Sequence, residues 1–301
     1  MQVVSSKRVN ISLVEMGAGK GTLFFDILSS IRKLSDKNIP QAVDFLKKST
    51  FHIIEIGEVL TTVQKEKLKE FSINWSKNFT EFLSKSDSES EIIFISNELF
   101  DCFPIDQFIK TDIGWRERLI DSTGDSPKFV LDKFDPQTHQ FVEELIAFNE
   151  LQKFLNNVPI GAVFEYSFEA KDCMTRLCES IQERGGMAII IDYGYIKNEF
   201  VNSLQAVKNH QKVSVLETPG EVDITALVNF SFLQKISQIF DLKSSLITQR
   251  QFLLGLGIEQ RRERLLQKKS SNEAAEINAA INRLIAPDQM GELFKTLIVW
   301  R

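Results

Sequence analysis

The stretch from Val9 to Thr22, VNISLVEMGAGKGT, constrains the fold more than any other part of the chain. Its first half is a short apolar run that reads as a buried parallel strand. Three glycines follow at alternate positions, Gly17, Gly19 and Gly21. Leu23, Phe24, Ile27, Leu28 and Ile31 then take helical spacing with one apolar face. Strand, glycine turn and helix in that order form the nucleotide-binding corner of an open α/β sheet. Glycine suits such a turn because positive φ is open to it and no Cβ holds a ligand off the backbone. The helix N-terminus then offers its free amides to whatever the turn holds.

The glycines do not name the ligand, but their neighbours narrow it. A dinucleotide fingerprint ends in glycine or alanine, and here that position is Thr22. Glu15 stands two residues before the first glycine, where a carboxylate would repel a pyrophosphate and attract the ammonium and sulfonium of S-adenosylmethionine. Glu15, Gly17, Ala18, Gly19, Gly21 and Thr22 are therefore expected to bind that cofactor. The bland alternative is an acid that only tethers the turn. An NAD-dependent oxidoreductase would share the corner, but Glu15, Thr22 and the lack of an evident proton-donor histidine disfavour it.

Further along, Phe51 to Ile56 reads as a second buried strand, with Glu55 at its tip placed to accept hydrogen bonds from a ribose. The helix after it, Glu58 to about Glu70, looks charged and solvated. Ile92 to Ser96 is a β-branched strand that delivers Asn97, Glu98 and Asp101 among Leu99, Phe100 and Phe103. Ligands of open α/β sheets lie beyond the carboxyl ends of the strands, so these three belong where a substrate should sit. A helix cap by Asn97 explains one of the three and not the others. From Ile105 the pattern alternates like a hairpin, and Phe141 to Leu155 reads as a helix. Residues 105–160 are expected to be an inserted α+β segment, with residues 1–104 and 161–301 as the core. Trp115 and Arg116, on the hairpin, either face the pocket or simply pack and pair. A strand over Met187 to Ile191 ends in Asp192 and Tyr193, a further acid on the same rim. Residues 202–220 read as a polar loop, and Val222 to Leu227 as the start of a helix capped by Asp223. Phe294 to Trp300 reads as a closing strand. The fold class is α/β: a Rossmann-like, mainly parallel sheet with helices on both faces.

Composition excludes several classes. At 301 residues and 43% hydrophobic the chain can bury a full core. With 36 basic against 41 acidic residues, a net charge of −5 implies no general affinity for nucleic acid. No apolar run is long enough to insert in a membrane, and MQVVSSKR is too short to read as a signal or transit peptide. Cys102, Cys173 and Cys178 lack zinc or redox spacing and point to a reducing compartment. His52, His139 and His210 form no ligand pair, so no metal is expected. A cytoplasmic location is the default.

Six stretches, met in this order, resemble the MidA family: Glu15 to Leu23, Asn97 to Ile105, Trp115 to Glu117, Ile191 to Tyr195, Pro219 to Ala226 and Met290 to Lys295. The resemblance implies a class I S-adenosylmethionine-dependent methyltransferase, whose mitochondrial member methylates an arginine of a respiratory complex I subunit and serves its assembly. It further implies a protein substrate, and the mitochondrial matrix as the location in a eukaryote. Glu98 and Asp101, with Asn97, would hold and deprotonate the guanidinium. Glu15 and the glycine loop would hold the amino-acid end of the cofactor, and Glu55 its ribose. Trp115, Arg116, Asp192 and Tyr193 would line the acceptor side. Two departures stand out. Ala18 and Lys20 replace the proline and arginine of the family's Gly-Pro-Gly-Arg-Gly loop, and only eight residues precede Val9 where the family carries a longer segment. The competing reading of another class is a non-catalytic assembly protein on a decayed methyltransferase fold.

Overall fold

A computed structural model describes residues 10–124, 126–149, 158–197, 199–208, 211–217 and 220–301. The first strands are β1 (Ile11–Met16), β2 (Ser49–Ile54), β3 (Ile73–Ser76) and β4 (Glu91–Asn97). Then come β5 (Asp106–Thr111), β6 (Gly114–Asp121), β7 (Lys128–Leu131) and β8 (Val163–Tyr166). The last are β9 (Gly186–Tyr195), β10 (Gln205–Lys208), β11 (Gln211–Val213), β12 (Asp223–Thr225), β13 (Val228–Asn229), β14 (Lys243–Thr248) and β15 (Phe294–Trp300). The chain divides into two units, the first taking in the chain up to Leu99, Cys173–Asp192 and Ile236–Arg301, the second Phe100–Asp172 and Tyr193–Lys235.

The first unit is built on a sheet of order β14-β15-β9-β4-β1-β2-β3. β1 pairs parallel with β2 on one side and β4 on the other, β2 with β3, and β4 with β9. The chain thus moves outward from β1 in one direction and later returns on its other side, a topological switch point whose crevice opens at the carboxyl ends of the strands. The sheet is stabilised by a cluster of Leu13, Phe51 and Ile53 with Phe24 and Leu28. The last two lie four residues apart on the helix Thr22–Asp36, so its apolar stripe meets the strands. Each such burial contributes roughly 1.5–3 kcal/mol. β14, which sequence reading missed because KSSLIT is too polar to stand out, pairs antiparallel with β15 along its whole length.

The second unit has a four-stranded antiparallel sheet, β7-β6-β5-β8, and a three-stranded one, β11-β10-β12. Trp115 is fully buried there, stacked on Phe200 with ring centroids 5.7 Å apart. The expected insertion, 105–160, lies inside this unit, which extends past it because β8 pairs antiparallel with β5 and residues 193–235 return to it. Three local readings are corrected. The polar stretch 202–220 carries two strands, β10 and β11, paired antiparallel, while residues 209–210 and 218–219 of it fall outside the described residues. The expected helix at Val222 to Leu227 is instead β12, since pairing with β10 (Gln205 opposite Thr225) outweighs the local cap signal of Asp223. The helix begins at Phe230, with the side-chain oxygen of Asn229 accepting from the Phe232 N–H at 3.0 Å. The helix expected over Phe141 to Leu155 starts earlier, as Pro136–Phe148, because Asp135 caps it and Pro136 takes its first position. The part of that expectation beyond Asn149 falls on residues 150–157, outside the described residues.

Candidate cofactor site

The glycine turn has the conformation its sequence requires. Gly17, Gly19 and Gly21 have φ of +71°, +51° and +72°, the left-handed region that a side chain resists. The Gly17 N–H donates to the carbonyl of Ile54 at 3.1 Å and that of Gly21 to Ala18 at 2.7 Å. A Cβ at Gly19 would meet nothing within 4 Å, so the apex of the turn faces open space. A Cβ at Gly17 would lie 2.7 Å from Cδ1 of Leu99, which places the segment after β4 directly against the turn.

Three acids sit at or just past the carboxyl ends of neighbouring strands, Glu55 after β2, Glu15 in β1 and Glu98 after β4, and a fourth, Asp192, lies within β9 just after Ile191, the last residue there that pairs with β4. Glu15 is 3% exposed. The Phe24 N–H donates to it, but burial outweighs that bond and pushes its carboxyl up to about 7. Its Oε2 is buried with no hydrogen-bond partner among the described residues. A buried carboxylate oxygen without a donor, beside an open glycine apex, fits a ligand that brings a cationic donor.

Glu55 is held from two sides. The Gly57 N–H donates to Oε1 at 2.8 Å and the Gln64 amide to Oε2 at 3.0 Å. Ile56 and Val59, 82% and 79% exposed, stand beside it. Large apolar side chains this open to water next to an acid suit a flat, partly apolar ligand such as a nucleobase.

Glu98 is exposed, with φ of +52°, an uncommon conformation for a residue with a side chain. Its backbone is pinned by the Glu98 N–H to Ile191 carbonyl bond (3.0 Å) and by the Leu99 N–H to Asp192 Oδ2 bond (3.1 Å). Asp192 is fully buried, so it anchors the tip of β4 from beneath. The Asn97 amide donates to Glu98 Oε1 at 3.1 Å. Of the residues expected in the site, the first unit therefore gathers the turn, Glu15, Glu55, Asn97, Glu98 and Asp192.

The others belong to the second unit. Asp101 is buried there, with the Ala226 N–H donating to its carbonyl. Trp115 is enclosed as described, and Arg116 donates to the carbonyls of Leu131 and Asp132. Tyr193 begins the return segment of the second unit. That unit also holds a small cleft of about 50 Å³ among Phe100, Tyr166, Tyr195 and Phe232.

Sequence reading missed Gln64 and Ile56. Gln64 lies on a helix that looks charged and solvated, and it is that helix's buried residue. No periodicity marks it. Ile56 continues the apolar run of Phe51 to Ile54 in sequence, and only its exposure sets it apart.

An α/β sheet with a glycine turn at its switch point and acids along the same rim defines a nucleotide-cofactor enzyme of the methyltransferase type. Over residues 1–248 the chain matches a family model described as S-adenosyl-L-methionine-dependent methyltransferase, and it belongs to that family. It is similar to "Protein arginine methyltransferase NDUFAF7, mitochondrial" of Danio rerio, with 29% identity over 97% of this chain and 69% of the relative. The corresponding homologue of Caenorhabditis elegans is 28% identical over 94% of this chain and 66% of the relative. The chain thus spans about two thirds of the length of these curated relatives. A crystal structure from Burkholderia thailandensis bound to S-adenosyl-homocysteine shares the fold, with a TM-score of 0.76 at 21% identity, covering 97% of this chain and 72% of that one. Among the described residues, no helix is long and apolar enough to cross a membrane.

Proposed function

We propose that this methyltransferase acts on a protein, at a guanidinium nitrogen of an arginine, and that Glu98 is the carboxylate that prepares it. The arginine acceptor is supported by the names of the relatives. A complex I subunit as the acceptor, met in the mitochondrial matrix or a bacterial cytoplasm, follows from the MidA resemblance alone.

The observation that carries the reading is the rim of acids with one member, Glu98, exposed and conformationally fixed where Leu99 touches the glycine turn. S-adenosylmethionine supplies an electrophilic methyl group on a sulfonium. Glu15 and the glycine turn would hold its amino-acid end, Glu55 its ribose hydroxyls, and Ile56 the face of its adenine. A guanidinium with a pKa above roughly 12 is a poor nucleophile because its lone pairs are delocalised. A carboxylate that pairs with it draws the charge toward one side, orients the attacking nitrogen, and takes the proton that leaves as the nitrogen is alkylated. Asn97 would steady Glu98 through the amide bond already described. Orientation is the larger part of the task, since methyl transfer needs nucleophile, carbon and sulfur in line.

The test is calorimetric titration with S-adenosylhomocysteine, followed by transfer of labelled methyl to arginine-containing and arginine-free peptides. Binding with label only on the arginine peptides is expected. Label on the arginine-free peptides would reject the acceptor. Glu55→Ala is expected to weaken cofactor binding about tenfold, the cost of losing a hydrogen bond to a charged group. Unchanged calorimetry in that variant would remove Glu55 from the site.

A further inference from the structure

We propose that Gln64 is a positioning residue for the cofactor, locking the ribose-binding carboxylate of Glu55 and the apex of the glycine turn into one geometry. The inference rests on the reading that those two groups bind the adenosyl ligand. Gln64 has 0% exposure, and its two amide hydrogens go to two places: the carbonyl of Gly19 at 2.8 Å and Oε2 of Glu55 at 3.0 Å. The orientation of the amide is not free. The indole N–H of Trp75 donates to Gln64 Oε1 at 3.1 Å, and an indole nitrogen can only donate. The oxygen must therefore face Trp75, and the nitrogen must face the turn and Glu55.

Two further contacts complete the clamp. A Cβ at Gly21 would lie 3.4 Å from Cγ of Gln64, so the side chain also packs under the third glycine. The Gly57 N–H holds the other oxygen of Glu55, which leaves each carboxylate oxygen one internal donor and a free lone pair for a vicinal diol. The cations nearby are engaged elsewhere: Lys67 donates to Thr22 Oγ1, Lys85 to the Trp75 carbonyl, and Lys65 lies over the Trp75 ring. The charge that faces the Gln64 amide is that of Glu55. Without Gln64, Glu55 would lose one of its two restraints and the Gly19 carbonyl would be left without this donor.

Binding of S-adenosylhomocysteine to the full chain, measured by calorimetry at about pH 6 and about pH 8.5, separates this role from simple packing. Every affinity is taken as a ratio to the wild type at the same pH, because Glu15 titrates in between. Gln64→Leu is expected to bind about tenfold more weakly at both pH values, with kcat retained at saturating cofactor. Gln64→Glu is nearly isosteric and keeps the acceptor for Trp75, but it turns a carboxylate toward Glu55 and a carbonyl. It is expected to bind about a hundredfold more weakly at the higher pH and to recover at the lower one, where a shared proton restores one bond. Should Gln64→Leu fail to fold, Gln64→Glu carries the decision. Wild-type binding together with a Gln64→Glu deficit that is absent, or identical at both pH values, would overturn the inference and leave the site reading standing. Absence of wild-type binding would overturn the site reading and this inference with it.

Discussion

Glu98→Gln is expected to bind S-adenosylhomocysteine as the wild type does and to lose about 10² to 10⁴-fold in methyl transfer, the usual weight of a positioned acid or base. The substitution is close to isosteric, and its oxygen still accepts from the Asn97 amide, so the strand tip keeps its shape. What it removes is the charge that pairs with the guanidinium and the lone pair that receives its proton. The loss should therefore appear in kcat more than in the KM for cofactor. A companion variant isolates backbone from chemistry. Glu98→Gly takes a residue with φ of +52° to the one amino acid at ease there, at the cost of a looser unfolded chain. Relieving strain of about 1 kcal/mol offsets that loosening. The glycine variant should thus melt near the wild-type temperature while being as inactive as the glutamine one. Undiminished turnover in Glu98→Gln would place the acceptor chemistry elsewhere.

The parts of this molecule legible from sequence are those where local pattern and tertiary role coincide. β1, the three glycines and the following helix were plain because buried strand, positive-φ turn and amphipathic helix each leave their own mark within about a dozen residues. Glu55 and Glu98 were legible for the same reason, as acids ending apolar runs. The illegible parts are set by distant partners. β12 follows a helix-like start at Asp223 and becomes a strand only because β10 lies beside it. β14 is polar, and β15 recruits it. Gln64 reads as one more polar residue on a charged helix, and its role exists only through Gly19, Glu55 and Trp75, 45, 9 and 11 residues away. Asp192 shows an intermediate case: its place on the rim was readable, whereas its full burial and its bond to the Leu99 N–H were not.

Glu15→Gln should separate the cost of a buried charge from its use. In the folded protein the Glu15 carboxyl is raised from 4.5 to about 7 by burial. Between those values the folded chain holds a proton that the unfolded chain has released, so stability falls as pH rises through this window and levels off above it. The shift corresponds to about 3 kcal/mol lost between roughly pH 4.5 and pH 8. Glutamine does not titrate, so the variant should lack this decline, and its stability relative to wild type should grow with pH across the window. Denaturant unfolding at several pH values reads that difference in slope, whatever constant penalty the amide itself incurs. Cofactor binding should move the opposite way. An ammonium placed against Oε2 supplies the partner that this oxygen lacks and draws Glu15 to its charged form. Near neutral pH, wild-type binding should then release a fraction of a proton, visible as a dependence of the calorimetric enthalpy on buffer ionisation heat. The variant should release none from this position and should bind about 10 to 100-fold more weakly, the range for a lost bond between charged groups. Parallel stability curves for the two proteins would mean that Glu15 does not titrate as burial dictates. Equal affinity and equal proton release would mean that the turn holds its ligand without this carboxylate.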